Sequence, residues 1–268
     1  MEQHEGHGRK LPIGSAVLAF ILVFALSFTV LFLVEKEVRG TQIRGLKLHE
    51  KRVVKLVGEF FGREFNRLLS DLHYLQRAYE DDLIQASNYD EIRENWVAFS
   101  NSKLFYDQIR YIDAAGDEVI RVNLGTDGAY AVPGSELQNK KDRYYFIETV
   151  KLPEGGIYIS PLDLNVENQE VEVPYKPMLR LSSPVYDKNG TLRGILMLSC
   201  LADDSLTRFR ELSSNSQGEV ILLNAGGYRL SSADPARGWN FMFAGRKGET
   251  FGKEYPKEWA AILGGRNG

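Results

Sequence analysis

The stretch YDQIRYIDAAGDEVIRVNL, residues 106–124, decides the fold, because apolar and polar residues alternate on both sides of a small-residue turn. Alternation with a period of two is the pattern of a strand that buries one face. The turn, Asp113-Ala114-Ala115-Gly116, separates two such runs, so the stretch predicts an antiparallel hairpin. A second hairpin is predicted in SSPVYDKNGTLRGILMLSC, residues 182–200, around Asn189-Gly190.

The segment between the two hairpins supplies further elements. It predicts a short helix at 142–150 and a strand at 157–160. Together with the hairpins, this strand gives a sheet of about five mainly antiparallel strands behind a long helix. We therefore expect an α+β fold with its main domain at residues 88–214, which is long enough to bury a hydrophobic core.

A long amphipathic helix is predicted at 35–87, because apolar residues recur there at steps of three and four. These residues are Val53, Val57, Phe61, Phe65, Leu68, Leu72, Leu75 and Tyr79. Two interpretations of the stripe stay open: packing against the helix's own domain, or the seam of a parallel homodimer. A second helix is predicted at 89–101, with Asp90 as its N-terminal cap.

An apolar segment precedes the long helix, since the 22 residues from Ile13 to Val34 carry no charge. At ~1.5 Å per residue, a helix of this length spans a bilayer. The segment continues into Glu35-Lys36-Glu37 without a cleavage site, so we expect an uncleaved single-pass transmembrane helix at 13–34 after a tail at 1–12. Basic residues flank both ends, and the charge rule alone does not decide which end is cytoplasmic.

Composition excludes several classes of function. Thirty-three Lys and Arg against 36 Asp and Glu give a net charge of -3, too balanced for a nucleic-acid partner. The single cysteine, Cys200, excludes an intramolecular disulfide, and its apolar neighbours predict an inert core position. No metal site is expected, since His4 and His7 have only Glu2 and Glu5 near them in sequence, and no cofactor is expected either. No catalytic site is expected, because the Ser-x-x-Lys spacing at Ser100 and Lys103 has no companion motif. The glycines of Gly125-Thr126-Asp127-Gly128 predict a turn, not a phosphate-binding loop.

The opening hairpin is repeated further along the chain. GEVILLNAGGYRLSS, residues 218–232, has the same order of strand, small-residue turn and strand as IRYIDAAGDEVIRV. This repeat predicts a second module of the same architecture at 215–268, with a short helix at 255–263. A sheet of about five strands does not fit into that length, so we expect the chain to be truncated inside its second module.

Longer blocks of sequence resemble one known family. KKDRYYFIETVKLPEGGIYISPLDLN and KPMLRLSSPVYDKNGTLRGILMLS, in their order after the anchor and the first hairpin, resemble the double Cache (PAS-like) sensor domains of bacterial histidine kinases, diguanylate cyclases and chemoreceptors. The stretches RGWNFMF and FGKEYPKEWAAI are similar to the start of the membrane-proximal half. The resemblance implies an extracytoplasmic domain, a cytoplasmic N-terminus at the plasma membrane, and a ligand in the membrane-distal module. The family's kinase, cyclase or chemotaxis output has no counterpart in this sequence.

A ligand site is predicted beneath the segment that connects the two hairpins, residues 139–165. That segment is rich in aromatic side chains and also carries a guanidinium and a carboxylate, the groups that a small polar metabolite needs. The residues expected in the site are Arg143, Tyr145, Phe146, Tyr158, Asp163, Arg180 and Ser199. The alternative interpretation is structural: Asp142 caps a helix, Tyr145 and Phe146 belong to the core, and Arg143 is solvated.

The resemblance also bears on the class of ligand. Relatives that bind amino acids carry an Arg-x-Trp-Tyr block, which Arg143-Tyr144-Tyr145-Phe146 resembles, with Asp163 at the corresponding separation. Their carboxylate on the last strand falls here at Ser199 or Cys200. The resemblance therefore leaves an amino acid, a carboxylate or another polar metabolite as the expected ligand.

Two functions of different classes follow. The first is a membrane-anchored, extracytoplasmic sensor that binds a small polar metabolite for signal transduction and lacks its own output domain. The second is an anchored interaction or dimerisation protein, or a non-functional receptor fragment, that binds no ligand. No enzymatic activity is expected in either case.

Overall fold

The computed structural model describes residues 13–167, 170–232 and 234–265. Within these ranges the side chains of residues 13–16, 19 and 167 are not described. The tail predicted at 1–12 therefore lies outside the described residues. The chain divides into two compact units, of which the first ends at Arg52 and the second begins at Val53.

Helix α1, Ile13–Gln85, covers both the predicted apolar segment and the predicted amphipathic helix. Over the described residues, no helix combines the length and the apolarity needed to cross a membrane, so the span predicted at 13–34 is not found there. The predicted span includes residues 13–16 and 19, whose side chains are not described.

The remaining helices and strands follow in chain order. The helices are α2 (Tyr89–Lys103), α3 (Tyr144–Thr149), α4 (Asp203–Ser213), α5 (Phe251–Glu254) and α6 (Pro256–Leu263). The strands are β1 (Tyr106–Asp113), β2 (Glu118–Gly125), β3 (Gly128–Ala131), β4 (Tyr158–Ile159), β5 (Asp163–Leu164), β6 (Val166–Glu167), β7 (Glu170–Val171), β8 (Pro177–Tyr186), β9 (Leu192–Leu201), β10 (Leu222–Leu223) and β11 (Arg229–Ser231).

The main sheet is antiparallel, in the order β3-β2-β1-β9-β8-β4, with β5 also paired to β8. The α+β class is confirmed, but the expected five strands are too few: in the described part of the chain this sheet has seven. Two short strands account for the difference. The Gly125–Gly128 turn folds β3 back onto β2, and Asp163 pairs with Met178.

One face of the sheet packs against α1 and α2. The apolar stripe of α1 supplies Leu68, Leu72 and Leu75, and α2 supplies Ile92 and Trp96. They meet the alternate residues of the central strands, namely Tyr106, Ile109, Tyr111, Leu181, Val185, Leu196, Leu198 and Cys200. Packing of the stripe against its own domain is thereby established for this part of the helix.

Cys200 lies inside this core, as predicted, and burial raises the pKa of its thiol well above the usual range. The cap predicted for α2 is wrong. The helix starts after Asn88, which has a left-handed backbone, and Asp90 lies in the first turn, where it accepts a hydrogen bond from Arg93 at 2.5 Å. Asp142 does not cap α3 either, since the capping position is Arg143.

Three hairpins, β1–β2, β8–β9 and β10–β11, share one turn design. Asp113, Asp187 and Asn224 each accept hydrogen bonds, at 2.9–3.0 Å, from the backbone N–H groups of the second and fourth residues that follow. An Asp or Asn side chain that bonds its own backbone in this way fixes a tight reversal. The similarity extends from the main sheet to the β10–β11 hairpin, where the second module is predicted. The predicted domain boundaries themselves stay a prediction.

We expect Gly194→Ala to destabilise the fold by about 1–3 kcal/mol, because a Cβ at this position of β9 would overlap the backbone carbonyl oxygen of Ile112. The matched control is Gly62→Ala in α1, where a Cβ meets no atom within 4 Å. Since alanine favours a helix, the control should gain up to about 1 kcal/mol. Urea denaturation of both variants measures the difference, and equal stabilities would contradict the close approach of β1 and β9.

Candidate functional site

The other face of the sheet is covered by the connecting segment, residues 139–165. Its apolar centre is a cluster of Tyr145 and Phe146 from α3 with Ile112, Ile195 and Met197 from the strands. These strand residues alternate with those that face α1 and α2. The connecting segment is therefore held on the sheet by a hydrophobic contact of its own.

A short polar contact also attaches α3 to the sheet. The Thr149 hydroxyl lies 2.5 Å from the Ser182 hydroxyl on β8 and donates to the backbone carbonyl of Tyr145 at 2.5 Å. Thr149 and Ser182 are both fully buried. Since a buried hydroxyl without a partner costs about 1–3 kcal/mol, this pair fixes the position of α3 over β8.

The buried Arg180 on β8 is the centre of a polar network. Its Nη1 donates to Asp163 Oδ1 at 2.6 Å and to the Tyr144 hydroxyl at 3.3 Å, and its Nη2 donates to Asn165 Oδ1 at 3.2 Å. The Tyr144 hydroxyl donates in turn to Asp163 Oδ2 at 3.2 Å. Three residues of the connecting segment thus converge on one guanidinium.

The electrostatics of this network favour the charged pair. Burial lowers the pKa of the Arg180 guanidinium, but Asp163 and Tyr144 raise it, so that the net shift is upward. Burial raises the pKa of the Tyr144 hydroxyl to about 12; Arg180 lowers it and Asp163 raises it. At neutral pH, Tyr144 is therefore a neutral donor and acceptor beside a permanent cation.

A second polar network lies on β1 and β2. Glu118 is fully buried, and its Oε2 accepts from Arg121 Nη1 at 2.8 Å and from the backbone N–H of Gln138 at 3.0 Å. Arg110 Nε lies 3.3 Å from Glu118 Oε1, and Arg110 Nη1 donates to the Tyr145 hydroxyl at 3.2 Å. Two arginines therefore share one carboxylate beneath α3.

Cavities lie on both sides of the sheet. A polar cavity of about 220 Å³ is lined, on the side of the sheet that the connecting segment covers, by Gln108, Asn123 and Asn165, among others. An apolar cavity of about 770 Å³ lies on the other side, between α1, α4 and β10–β11, and includes Phe61 and Leu206. The Asn165 side chain connects the polar cavity to Arg180.

The structure brings together most of the predicted site residues. Arg180 and Asp163 form an ion pair, Tyr145 and Phe146 cover the sheet, and Tyr158 packs at the edge of their cluster. Ser199 is paired with Arg180 across β8 and β9, and its buried hydroxyl has no hydrogen-bond partner among the described residues. None of the seven predicted residues belongs to the described lining of either cavity.

Arg143 stands apart from the network. Its side chain is exposed, and its guanidinium lies over the Tyr145 ring, 5.8 Å from the ring centre. This position fits the solvated interpretation of Arg143, while the burial of Tyr145 and Phe146 fits the core interpretation of those two residues.

Sequence reasoning missed Arg110, Glu118, Arg121 and Asn165. A signal was available for Arg110, because it is a charged residue between Ile109 and Tyr111 on a strand with an apolar pattern. Tyr144 is one of the aromatic residues of the connecting segment but is not among the seven predicted site residues. Nothing in the spacing of residues indicated that Asn165 reaches Arg180.

The fold is a sheet that is backed by a long helix on one face and covered by a connecting segment on the other. Residues 65–268 match the family model described as "Bacterial histidine kinase, sensor domain", and the chain belongs to that family. The predicted resemblance to Cache-type sensor domains is thereby confirmed.

Solved structures agree with this assignment. A domain of a sensory box/GGDEF family protein from Vibrio parahaemolyticus is 22% identical, with a TM-score of 0.65 over 81% of this chain and 83% of that chain. The extracellular domain of the histidine kinase vpHK1S-Z8 is 21% identical, with a TM-score of 0.64 over 79% of each chain. The ligand-binding domain of the Campylobacter jejuni chemoreceptor Tlp3, in complex with L-valine, is 12% identical, with a TM-score of 0.53 over 71% of this chain and 72% of that chain.

At these identities the structural likeness establishes the fold alone. Among curated proteins, none matches the chain by sequence. The family defines a sensor domain, and the ligand has to be argued from the residues of this chain.

We expect Asp163→Asn to destabilise the fold by about 3–5 kcal/mol, because it leaves the buried Arg180 guanidinium without its counter-charge. Arg143→Gln is the control, since it also removes a charge from the connecting segment but at an exposed position, and should stay within about 0.5 kcal/mol of the unmodified chain. Urea denaturation at neutral pH measures both. Equal losses for the two variants would contradict the central role of the Arg180–Asp163 pair.

Proposed function

We propose that this chain is a ligand-binding sensor whose connecting segment and polar sheet face take up a small polar metabolite. The single observation that carries the proposal is the Arg180 network, in which polar groups of the connecting segment converge on a buried guanidinium. Buried arginines recognise planar anionic or polar groups with directional hydrogen bonds. Family membership supports a sensor, and the Tlp3 domain is a structural neighbour that holds L-valine.

The proposed mechanism is a shift between two positions of the connecting segment. A ligand that binds better to one position changes the populations of both. The same strands that carry the site also contact α1: Gln76 Nε2 donates to the Pro184 carbonyl at 3.2 Å, and the Tyr111 hydroxyl donates to the Leu83 carbonyl at 3.3 Å. A displacement of β8 or β1 therefore alters contacts of α1, which makes that helix the proposed route of the signal.

The Ser199 hydroxyl offers a direct test of this proposal. We expect at least one member of a panel of amino acids, dicarboxylates and polyols to stabilise the full chain, with a rise in melting temperature that follows occupancy. Ser199→Ala should keep the fold, because the buried hydroxyl has no hydrogen-bond partner among the described residues, and should weaken binding about three- to tenfold. Thermal shift and isothermal titration measure the two effects.

Ser102→Ala is the matched control, since this serine lies exposed on α2 and donates to the Phe99 carbonyl. The control should bind with unchanged affinity. Equal affinities of the Ser199→Ala and Ser102→Ala variants would remove Ser199 from the site, and a panel without any stabilising member would contradict the sensor function.

A second candidate is an interaction or dimerisation protein that binds no ligand. The observation that favours it is the exposure of Val54, Leu56 and Tyr74 on α1, because exposed apolar groups on one helix often mark a protein contact. Both functions are compatible with a homodimer through α1. The ligand panel separates them, since stabilisation by a small molecule is expected of the sensor alone.

The finer parts of the interpretation belong to the same proposal: an extracytoplasmic domain, an anchor at 13–34 with a cytoplasmic N-terminus, and a homodimer through α1. Exposed apolar side chains between Val17 and Val34 support the anchor, because such a surface needs to be covered.

We expect the full chain to sediment with membranes, to be digested by protease added outside the inner membrane, and to give a dimer mass in light scattering after solubilisation. Val54→Asp with Leu56→Asp should shift that mass to a monomer, whereas Arg52→Asp, a change at another exposed position of α1, should not. Protection from external protease would contradict the location, a chain that remains in the soluble fraction would contradict the anchor, and a monomer without substitutions would contradict the dimer.

A further inference from the structure

We propose that the ligand carries a primary ammonium group and that the polar cavity binds this group. This inference rests on the proposed function and deepens it, because it names the chemical class of the ligand and a subsite outside the seven predicted residues. The residues proposed to hold the ammonium group all line the cavity and are Asp107, Gln108, Asn123 and Glu172.

The polar cavity lies between the sheet and the base of the β6–β7 hairpin. Gln108 on β1 and Asn123 on β2 are opposite each other in the strand register and line the cavity on the side of the sheet. Asn165 and Glu172 precede and follow the hairpin, are joined by a backbone hydrogen bond of 3.0 Å, and line the opposite side. The volume of about 220 Å³ is that of about seven water molecules, so one end of a small metabolite fits.

The described lining of the polar cavity carries more negative than positive charge. It includes two carboxylates, Asp107 and Glu172, and one cation, Lys176. Lys176 Nζ lies 2.6 Å from Asp107 Oδ1, so these two charges compensate each other. Glu172 Oε2 accepts from the Asn165 amide at 2.8 Å, and a neutral amide does not compensate the charge of Glu172. A cationic group of a ligand is therefore attracted into this cavity.

An unused acceptor in the lining provides a second observation. Asn123 Oδ1 is buried and has no hydrogen-bond partner among the described residues. The amide nitrogen of the same side chain donates to the Tyr130 hydroxyl at 3.4 Å. A buried acceptor without a donor costs free energy, so a ligand that supplies the donor is favoured.

An ammonium group matches both observations. It carries one positive charge, three hydrogen-bond donors and no acceptor. A carboxylate or a phosphate would bring a negative charge to Glu172 and no donor to Asn123 Oδ1. A hydroxyl group would supply one donor, but it would leave the charge of Glu172 without compensation. Hydrogen bonds from a charged donor to a carboxylate are also stronger than those between neutral groups.

The strand register connects the polar cavity to the site of the proposed function. Residues that are directly opposite on antiparallel strands lie on the same face of the sheet. One such row across β2, β1, β9 and β8 consists of Asn123, Gln108, Ser199 and Arg180. Since neighbouring strands are about 4.7–4.9 Å apart, the backbones at Gln108 and Arg180 are separated by about 10 Å. A small ligand whose ammonium group lies in the cavity can therefore present a second polar group to Ser199 and Arg180.

The test compares primary amines with their hydroxyl counterparts on the full chain, by isothermal titration at neutral pH. The pairs are alaninamide with lactamide, ethanolamine with ethylene glycol, and putrescine with the corresponding diol. We expect at least one amine to bind, and its hydroxyl counterpart to bind at least tenfold more weakly because it is uncharged. The affinity for the amine should fall when sodium chloride is added, since salt screens the attraction between the charges.

Two variants of the β6–β7 hairpin locate the binding of that amine. Glu172→Gln should weaken it about tenfold, because the charge is lost while a side-chain oxygen remains to accept from Asn165. The matched control is Glu170→Gln, which removes the same charge from an exposed position outside the described lining of the cavity. The control should leave the affinity unchanged.

The outcomes separate this inference from the proposed function. Equal affinities of the Glu172→Gln and Glu170→Gln variants, or a hydroxyl counterpart that binds as tightly as its amine, would overturn the polar cavity as the ammonium subsite. Binding of dicarboxylates or polyols, without binding of any amine or amino acid, would overturn the inference and leave the sensor function standing. The absence of binding by every compound, including the whole ligand panel, would overturn both.

Discussion

The structure depends on one constraint, the alternation of side chains along β1, β8 and β9. Each of these strands presents apolar residues to α1 and α2 on one face and a mixture of arginine, serine and aliphatic residues to the connecting segment on the other. A shift of register by one residue would place Arg180 in the helix-facing core and Leu181 beneath the connecting segment. The hydrophobic effect on the first face therefore fixes the chemistry of the second.

The sheet face beneath the connecting segment combines hydrophobic contacts with buried ion pairs. The two kinds of contact differ in directionality and in the cost of removing water. The hydrophobic contacts of Tyr145 and Phe146 stabilise the observed position of the connecting segment and have no preferred direction. The ion pairs of Arg180 and Glu118 add direction, but their desolvation offsets much of the gain. Because the ion pairs contribute little net free energy, a modest change in local charge alters the stability of this position of the connecting segment. This property suits a part that is proposed to move.

The elements that the sequence predicts correctly are those that depend on local patterns. Alternation, with the turns at Asp113-Ala114-Ala115-Gly116 and Asn189-Gly190, identifies both hairpins. The apolar stripe identifies the amphipathic part of α1, and packing against its own domain is one of the two interpretations that it leaves open. The predicted helix at 142–150 is found as α3, two residues shorter at its start. Tyr145 and Phe146 are found in the core, which was the structural alternative for both of them.

The parts that could not be predicted depend on contacts between distant residues. The partner of Arg180 is set by the pairing of β5 with β8, which joins residues 13 and 15 positions apart through a short strand with no periodic signal. The role of Arg110 depends on which face of the sheet is covered, and alternation alone does not distinguish a covered face from a solvated one. The extra strands β3 and β5 are missed for a different reason, because two to four residues carry too little periodic pattern.

The pairing of Asp163 with Arg180 has a consequence for selectivity. The Asp163 carboxylate occupies the position on Arg180 that an acid group of a ligand would take. Because Asp163 belongs to the same chain, its effective concentration at Arg180 is very high. A ligand acid that binds this guanidinium has to displace Asp163 and also has to accept the hydrogen bond of the Tyr144 hydroxyl. In the proposed sensor, this competition lowers the apparent affinity for any such acid, because only the fraction of molecules in which Asp163 has left Arg180 can bind it.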